Sequence, residues 1–94
     1  MKYEVDYPEK IFKRDFRPLS PEIRKKIKKL IEDEIAANPF KVGKPLSGNL
    51  KGYRSFRTKD CRIVYRINIA EHKIIPASVG YRKDVYDKVP LDLI

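Results

Sequence analysis

Arg57, Arg62 and Arg82, followed by Tyr86, are the residues of this 94-residue chain whose types and spacing bear on chemistry. Arginine grips an anionic oxygen pair with two parallel N–H···O bonds and stays protonated, so it stabilises negative charge and is a poor base. A tyrosine set among cations can move a proton, because cations favour its anion. Together such groups suit metal-free cleavage of RNA. The 2′-hydroxyl attacks the adjacent phosphate, and arginines hold the charge gathering on the phosphate oxygens. Tyr86 follows Arg82 closely enough to share a site with it. A plainer reading stays open: the arginines are ordinary surface groups and Tyr86 packs the C-terminal segment.

Other chemistries find little to work with. His72 is the lone histidine, in an expected turn, so neither a Ser–His–Asp set nor a histidine pair for a metal can form. Cys61 is the lone cysteine and opens an apolar strand, which reads as a buried, inert thiol. The acids are scattered among lysines and arginines, against a two-metal nuclease. Gly43, Gly48 and Gly52 are spaced wrongly for a nucleotide-binding loop. No cofactor and no metal are therefore expected. Lys and Arg number 22 against 13 acids, a net charge of +9, which points to a polyanionic partner: RNA, DNA or an acidic protein. There is no N-terminal apolar leader and no run approaching a membrane span, so no membrane partner and a cytoplasmic location are expected.

The elements that must position these groups follow from periodicity. With 41% hydrophobic residues, residues 1–94 can build one domain with one modest core. Lys2 to Tyr7 alternates as a half-buried strand. Glu9 to Phe16 reads as a short helix, with Phe12 and Phe16 on one face beside Ile11. Ser20-Pro21-Glu22 opens a second helix, with Ile23, Ile27, Leu30, Ile31 and Ile35 on its core side, and Asn38-Pro39 ends it. Lys25, Lys28 and Lys29, with Arg24, fall on its other face: a nucleic-acid surface or simply the solvated side. Phe40 to Gly52 is a basic connection. Three strands follow as a meander over Tyr53 to Tyr81. In the first, Arg54, Phe56 and Thr58 face the core, away from Ser55 and Arg57. In the second, Cys61, Ile63, Tyr65, Ile67 and Ile69 face it, away from Arg62. In the third, the expected core residues are Ile75, Ala77 and Val79, and the same parity brings Arg82 to the open face. Pro76 cannot donate to a ladder. The third strand is therefore expected at an edge, and the N-terminal strand beside Tyr53–Lys59. The class is α+β: an N-terminal strand, a helical hairpin, and a three-stranded antiparallel meander in one sheet.

In K-P-L-S-G-N-L-K-G-Y-R (Lys44 to Arg54), D-C-R-I-V-Y-R-I (Asp60 to Ile67) and V-G-Y-R-K-D-V-Y (Val79 to Tyr86), and in element order, the chain resembles the RelE/ParE superfamily of toxins of type II toxin–antitoxin systems, within it the RelE-like branch. The resemblance covers nearly the whole chain. It implies an mRNA interferase, a metal-independent endoribonuclease that enters the ribosomal A site and cuts the mRNA there, so inhibiting translation. It also implies neutralisation by a cognate RelB-like antitoxin. By position, Arg62 resembles the family's phosphate-contacting arginine and Arg82 its transition-state stabiliser. Tyr86 resembles its C-terminal general base, and Arg57 a basic residue on the preceding strand. Arg54, Lys51, Lys59 and Lys83, with Lys25, Lys28 and Lys29 on the helix, are candidates for contact with RNA and ribosome. Ser55 departs from a basic residue found in some active members, and Tyr81 from a histidine. Two alternatives keep the fold: a ParE-like inhibitor of DNA gyrase without chemistry of its own, and a catalytically weak relative that binds antitoxin or RNA.

Overall fold

The structure, a computed structural model, describes residues 2–59, 61–81 and 83–89, with only the backbone of Lys83 and Asp84. Its helices begin as their residue types dictate. The Ser20 side chain accepts the Ile23 N–H at 3.3 Å, and Pro21 occupies the first position, where no N–H is needed. Helix α1 (Glu9–Ile11) winds on as a π-helical stretch, Phe12–Phe16; α2 (Pro21–Leu30) does the same over Ile31–Ile35. There the N–H groups of Arg17 and Ala36 donate five residues back, to Phe12 and Ile31, at 3.0 and 2.9 Å. The wider turn re-aims side chains. It buries Ile11, Asp15 and Phe16 and leaves Phe12 40% exposed, while the Phe12 and Phe16 rings still meet on one face, as expected, with centres 5.5 Å apart.

The strands are β1 (Glu4–Val5), β2 (Lys44–Pro45), β3 (Arg54–Arg57), β4 (Arg62–Asn68) and β5 (Lys73–Gly80), in one sheet of order β1-β5-β4-β3-β2. The class is α+β, and β3, β4 and β5 are the antiparallel meander read from the sequence. The expected place of the N-terminal strand is corrected: β1 pairs with β5, in parallel, and not with β3. Pro76 still explains the result. The Asp6 N–H donates to Ile74 at 2.9 Å, and the next bond of a parallel ladder would need an N–H from residue 76. The ladder stops after Ile74, so β5 is interior at its start and an edge beyond. The basic connection after α2 is also more ordered than a plain loop, holding α3 (Pro39–Val42), β2 and a 3₁₀ turn, Gly48–Leu50.

A bulge corrects the β5 parity as well. Val64 faces Ser78 but Tyr65 faces Pro76, so Ala77 is the extra residue. Ile74, opposite Ile67, and Val79, opposite Ile63, both reach the helical core although they stand an odd number of positions apart. Ile75, opposite Arg66, therefore lies off the helical side, against the expectation. The main core joins Ile11, Phe16, Ile27, Ile31 and Ile35 to Ile63, Tyr65, Ile74 and Val79. Ile69, expected in that core, is 68% exposed in the β4–β5 turn. The opposite face is not simply open. Tyr53, Val64, Val85 and Val89 form a second buried cluster there, so the C-terminal segment covers part of the sheet.

Candidate active site

The β3–β4 register sets Arg57 directly opposite Arg62. Like charges so placed repel, at a cost of roughly 0.2–1 kcal/mol. Among the described residues neither guanidinium has a carboxylate partner. Arg57 is exposed and Arg62 half-buried, its guanidinium carbon 6.0 Å from the Tyr86 ring centre. That is within cation–π range. Arg62 also faces Gly80 on β5. Arg82, two residues further on, lies outside the described residues.

Tyr86 is delivered by its neighbour. It ends a 3₁₀ turn, Lys83–Tyr86, whose Val85 is fully buried in the second cluster. The Ser78 hydroxyl donates to the Val85 carbonyl at 2.5 Å. Gly80 lets the chain double back, since a Cβ there would lie 2.8 Å from a Val85 methyl. With Val85 pinned, the Tyr86 ring crosses the sheet toward β3. Its hydroxyl lies 3.2 Å from the Ser55 Oγ, within hydrogen-bond reach. Beside the pair runs a groove of about 480 Å³, lined by Val42, Lys44, Pro45 and Leu46 from the end of α3 through β2, and by Ser55, Arg57 and Tyr86.

A clasp of charged side chains holds this arrangement from behind. Beyond Pro76 the outer edge of β5 has no strand beside it, and side chains take its bonds. The buried Asp15 carboxylate accepts the Val79 N–H at 2.9 Å, and Arg14 donates to the Ala77 carbonyl at 2.8 Å. Lys88 donates to the Val79 carbonyl at 3.2 Å and lies 3.3 Å from Asp15, while Arg14 binds the Lys88 carbonyl at 2.6 Å. Arg14 and Asp15 themselves meet at 2.6 Å. α1, β5 and the segment after Tyr86 are thereby locked together.

The other residues singled out by sequence scatter. Lys51 and Lys59 are exposed on the turns flanking β3. The Lys83 side chain is outside the described residues. Arg54 turns toward the helical side and is spent on the scaffold: it donates to the Phe40 and Gly43 carbonyls at 2.8 and 2.6 Å, with the Phe40 ring 5.6 Å away. Lys25, Lys28 and Lys29 lie on α2, in the layer on the other side of the sheet from Tyr86, and Lys28 sits over the Tyr7 and Phe12 rings. Sequence reasoning missed Ser55 as a partner of Tyr86 and missed Asp15 altogether. One signal for Asp15 was present, an acid four residues after Ile11 and just before Phe16, within the apolar set of α1. Among the described residues no three His, Cys, Asp or Glu side chains gather as metal ligands would, and no helix is long and apolar enough to cross a membrane.

The chain is similar to known proteins in both sequence and fold. Residues 9–86 match the family described as the ParE toxin of the type II toxin–antitoxin system parDE. The chain is 31% identical over 74 residues to Toxin RelG of Mycobacterium tuberculosis, covering 79% of this chain and 85% of that one. It is 30% identical over 77 residues to Toxin RelE of the same organism, covering 82% and 79%. Its fold superposes on a chain of the M. tuberculosis toxin–antitoxin complex RelBE2 with a TM-score of 0.81, at 28% identity over 87% of this chain and all (100%) of the other. A mutant of the E. coli toxin RelE in the free state shares the fold, with a TM-score of 0.77, 23% identity and 100% coverage of both chains.

Proposed function

The chain belongs to the RelE/ParE superfamily, the toxins of type II toxin–antitoxin systems, and from that premise we propose that it is a ribosome-dependent endoribonuclease that cuts mRNA in the A site. One observation carries the reading: Arg57 and Arg62 face each other with no carboxylate partner among the described residues, and Arg62 lies against the Tyr86 ring. Such a pair is costly in an empty protein and becomes favourable when a phosphate lies between the guanidinium groups. Tyr86 is the general base for the 2′-hydroxyl. The 2′-oxygen bonds to phosphorus, the bond to the 5′-oxygen breaks, and the leaving oxygen takes a proton from solvent water. Arg62, together with Arg57 and Arg82, holds the charge on the non-bridging oxygens. Lys51 and Lys59 extend the cationic surface along the strand. Lys25, Lys28 and Lys29 contact the ribosome rather than the cut phosphate. The partner that silences the protein is a RelB-like antitoxin, and the site of action is the cytoplasm.

Mapping mRNA ends in a translation extract tests this. Wild type produces cuts within the codon at the A site. Tyr86→Phe lowers their single-turnover rate about 10²-fold or more, and Arg62→Ala does so by about 10²–10³-fold. A second reading draws on the matched family's description as parDE toxins: a protein that stalls DNA gyrase without cutting RNA. Unbroken mRNA together with gyrase trapped on DNA would replace the first reading by the second.

A further inference from the structure

The groove beside Tyr86 has a composition that RNA cleavage alone does not require. Its volume, about 480 Å³, falls in the range of small-molecule sites, about 300–1,000 Å³. One wall is apolar: Val42 from the end of α3, Pro45 from β2, and Leu46 just after. Across from it stand Ser55 and Tyr86, and the cations Lys44 and Arg57 are exposed at the rim. An apolar wall with cations at its rim matches a nucleotide, whose base offers a flat face with little charge and whose phosphate is anionic.

The wall is also built in advance. The Arg54 guanidinium binds the carbonyls of Phe40 and Gly43, the Tyr65 hydroxyl donates to Pro39 at 2.6 Å, and the Leu46 N–H donates to Tyr53 at 2.9 Å. Gly43 packs so closely on Tyr65 that a Cβ there would overlap its hydroxyl. A wall fixed at each end loses little freedom when a ligand arrives, so its shape can discriminate between bases.

We propose, resting on the ribonuclease reading, that this groove seats the nucleoside next to the cut phosphate. Its base lies against Val42, Pro45 and Leu46, Lys44 takes the flanking phosphate, and Arg57 keeps the phosphate that is cut. Base preference at the cut is then set by residues 42–46, outside the arginine and tyrosine set that performs the cleavage.

Two measurements test it. In the first, the isolated protein with labelled methyl groups is titrated with each of the four nucleoside 3′-monophosphates, and separately with inorganic phosphate. Shifts at Val42 and Leu46 that depend on the base, and that phosphate alone does not produce, support the groove. Shifts that phosphate reproduces in full, or that fall only on Ile23 and Leu30 in the helical layer, overturn it. In the second, cut sites are sequenced for wild type, Val42→Phe and Leu46→Ala. A change of roughly tenfold in the relative use of one base at the cut is expected. An unchanged base distribution, with cutting retained, sinks the groove and leaves the cleavage reading standing. Base-dependent binding by a wild type that cuts no mRNA does the reverse, since the nucleotide titration needs no ribosome.

Discussion

Arg57 and Arg62 show how much a single pair of residues can say. Alternation in β3 and β4 set both on the face away from Phe56 and Ile63, and they lie there. That they stand opposite each other could not be read, because register depends on where the turn closes, and the turn at Lys59-Asp60 has no glycine to fix its type. Ser55 was equally illegible. Judged by type it was a gap in a basic pattern; in space it partners the hydroxyl of a tyrosine 31 residues away. The facing arginines predict opposite signs for stability and function. Arg57→Gln removes the repulsion while keeping a long polar side chain. The variant is expected to gain up to about 1 kcal/mol in urea unfolding. It should cut mRNA at least about tenfold more slowly. A variant that loses stability would mean that Arg57 makes a supporting contact in the fold and is no unrelieved charge.

At the scale of elements, the helix starts, the meander and the class were legible because each rests on local chemistry: a serine cap, a proline at the first helical turn, a period of two. The sheet order was not. Pro76 announced an edge, and the edge is real, but only from that residue onward; the first two residues of β5 take β1. Nor could alternation foresee the bulge at Ala77, which changes parity in mid-strand. The π-helical stretches were not legible either, since a period of 3.6 gives no sign of a widened turn. All three irregularities converge on Asp15. The widened turn of α1 aims it inward, the bulge turns the Val79 N–H toward it, and the missing strand leaves that N–H for it to bind. Removing its charge leaves Arg14 and Lys88 facing each other, each about a third exposed. Asp15→Asn is therefore expected to cost about 2–3 kcal/mol in denaturant unfolding, below the full value for a dry ion pair. Because Lys88 follows Tyr86 by two residues, the same substitution should expose the C-terminal segment to proteases before the sheet unfolds. Global unfolding with no earlier nick would show that the clasp stabilises the whole domain and does not hold that segment in particular.

For the whole molecule, a net charge of +9 raised the expectation of a polyanionic partner but said nothing of how the two layers are tied. Tyrosines do part of that work. The Tyr7 hydroxyl, just past β1, donates to Glu32 beyond α2 at 2.8 Å, and Tyr65 on β4 donates to Pro39 at the start of α3. Both phenols are raised above the ordinary tyrosine value, first by burial; for Tyr7 the hydrogen bond to Glu32 adds to this, and for Tyr65 the Arg54 guanidinium opposes it. Each tie exists only while its hydroxyl keeps its proton. The folded value is the higher one, so the contribution to stability is complete below the unfolded value of about 10. Above that pH the unfolded chain gives up these protons first, and stability falls until the folded value is passed. The slope is at most about 1.4 kcal/mol per pH unit for each group. Lys73, raised by its hydrogen bond to Glu71, acts in the same direction from the surface. Urea unfolding followed from about pH 9 to about pH 11 should therefore show a steepening loss. In Tyr7→Phe the protein starts less stable but declines less steeply, because one of the protons is gone. Parallel curves for wild type and Tyr7→Phe would mean that the Tyr7–Glu32 tie does not hold β1 to the helices in solution.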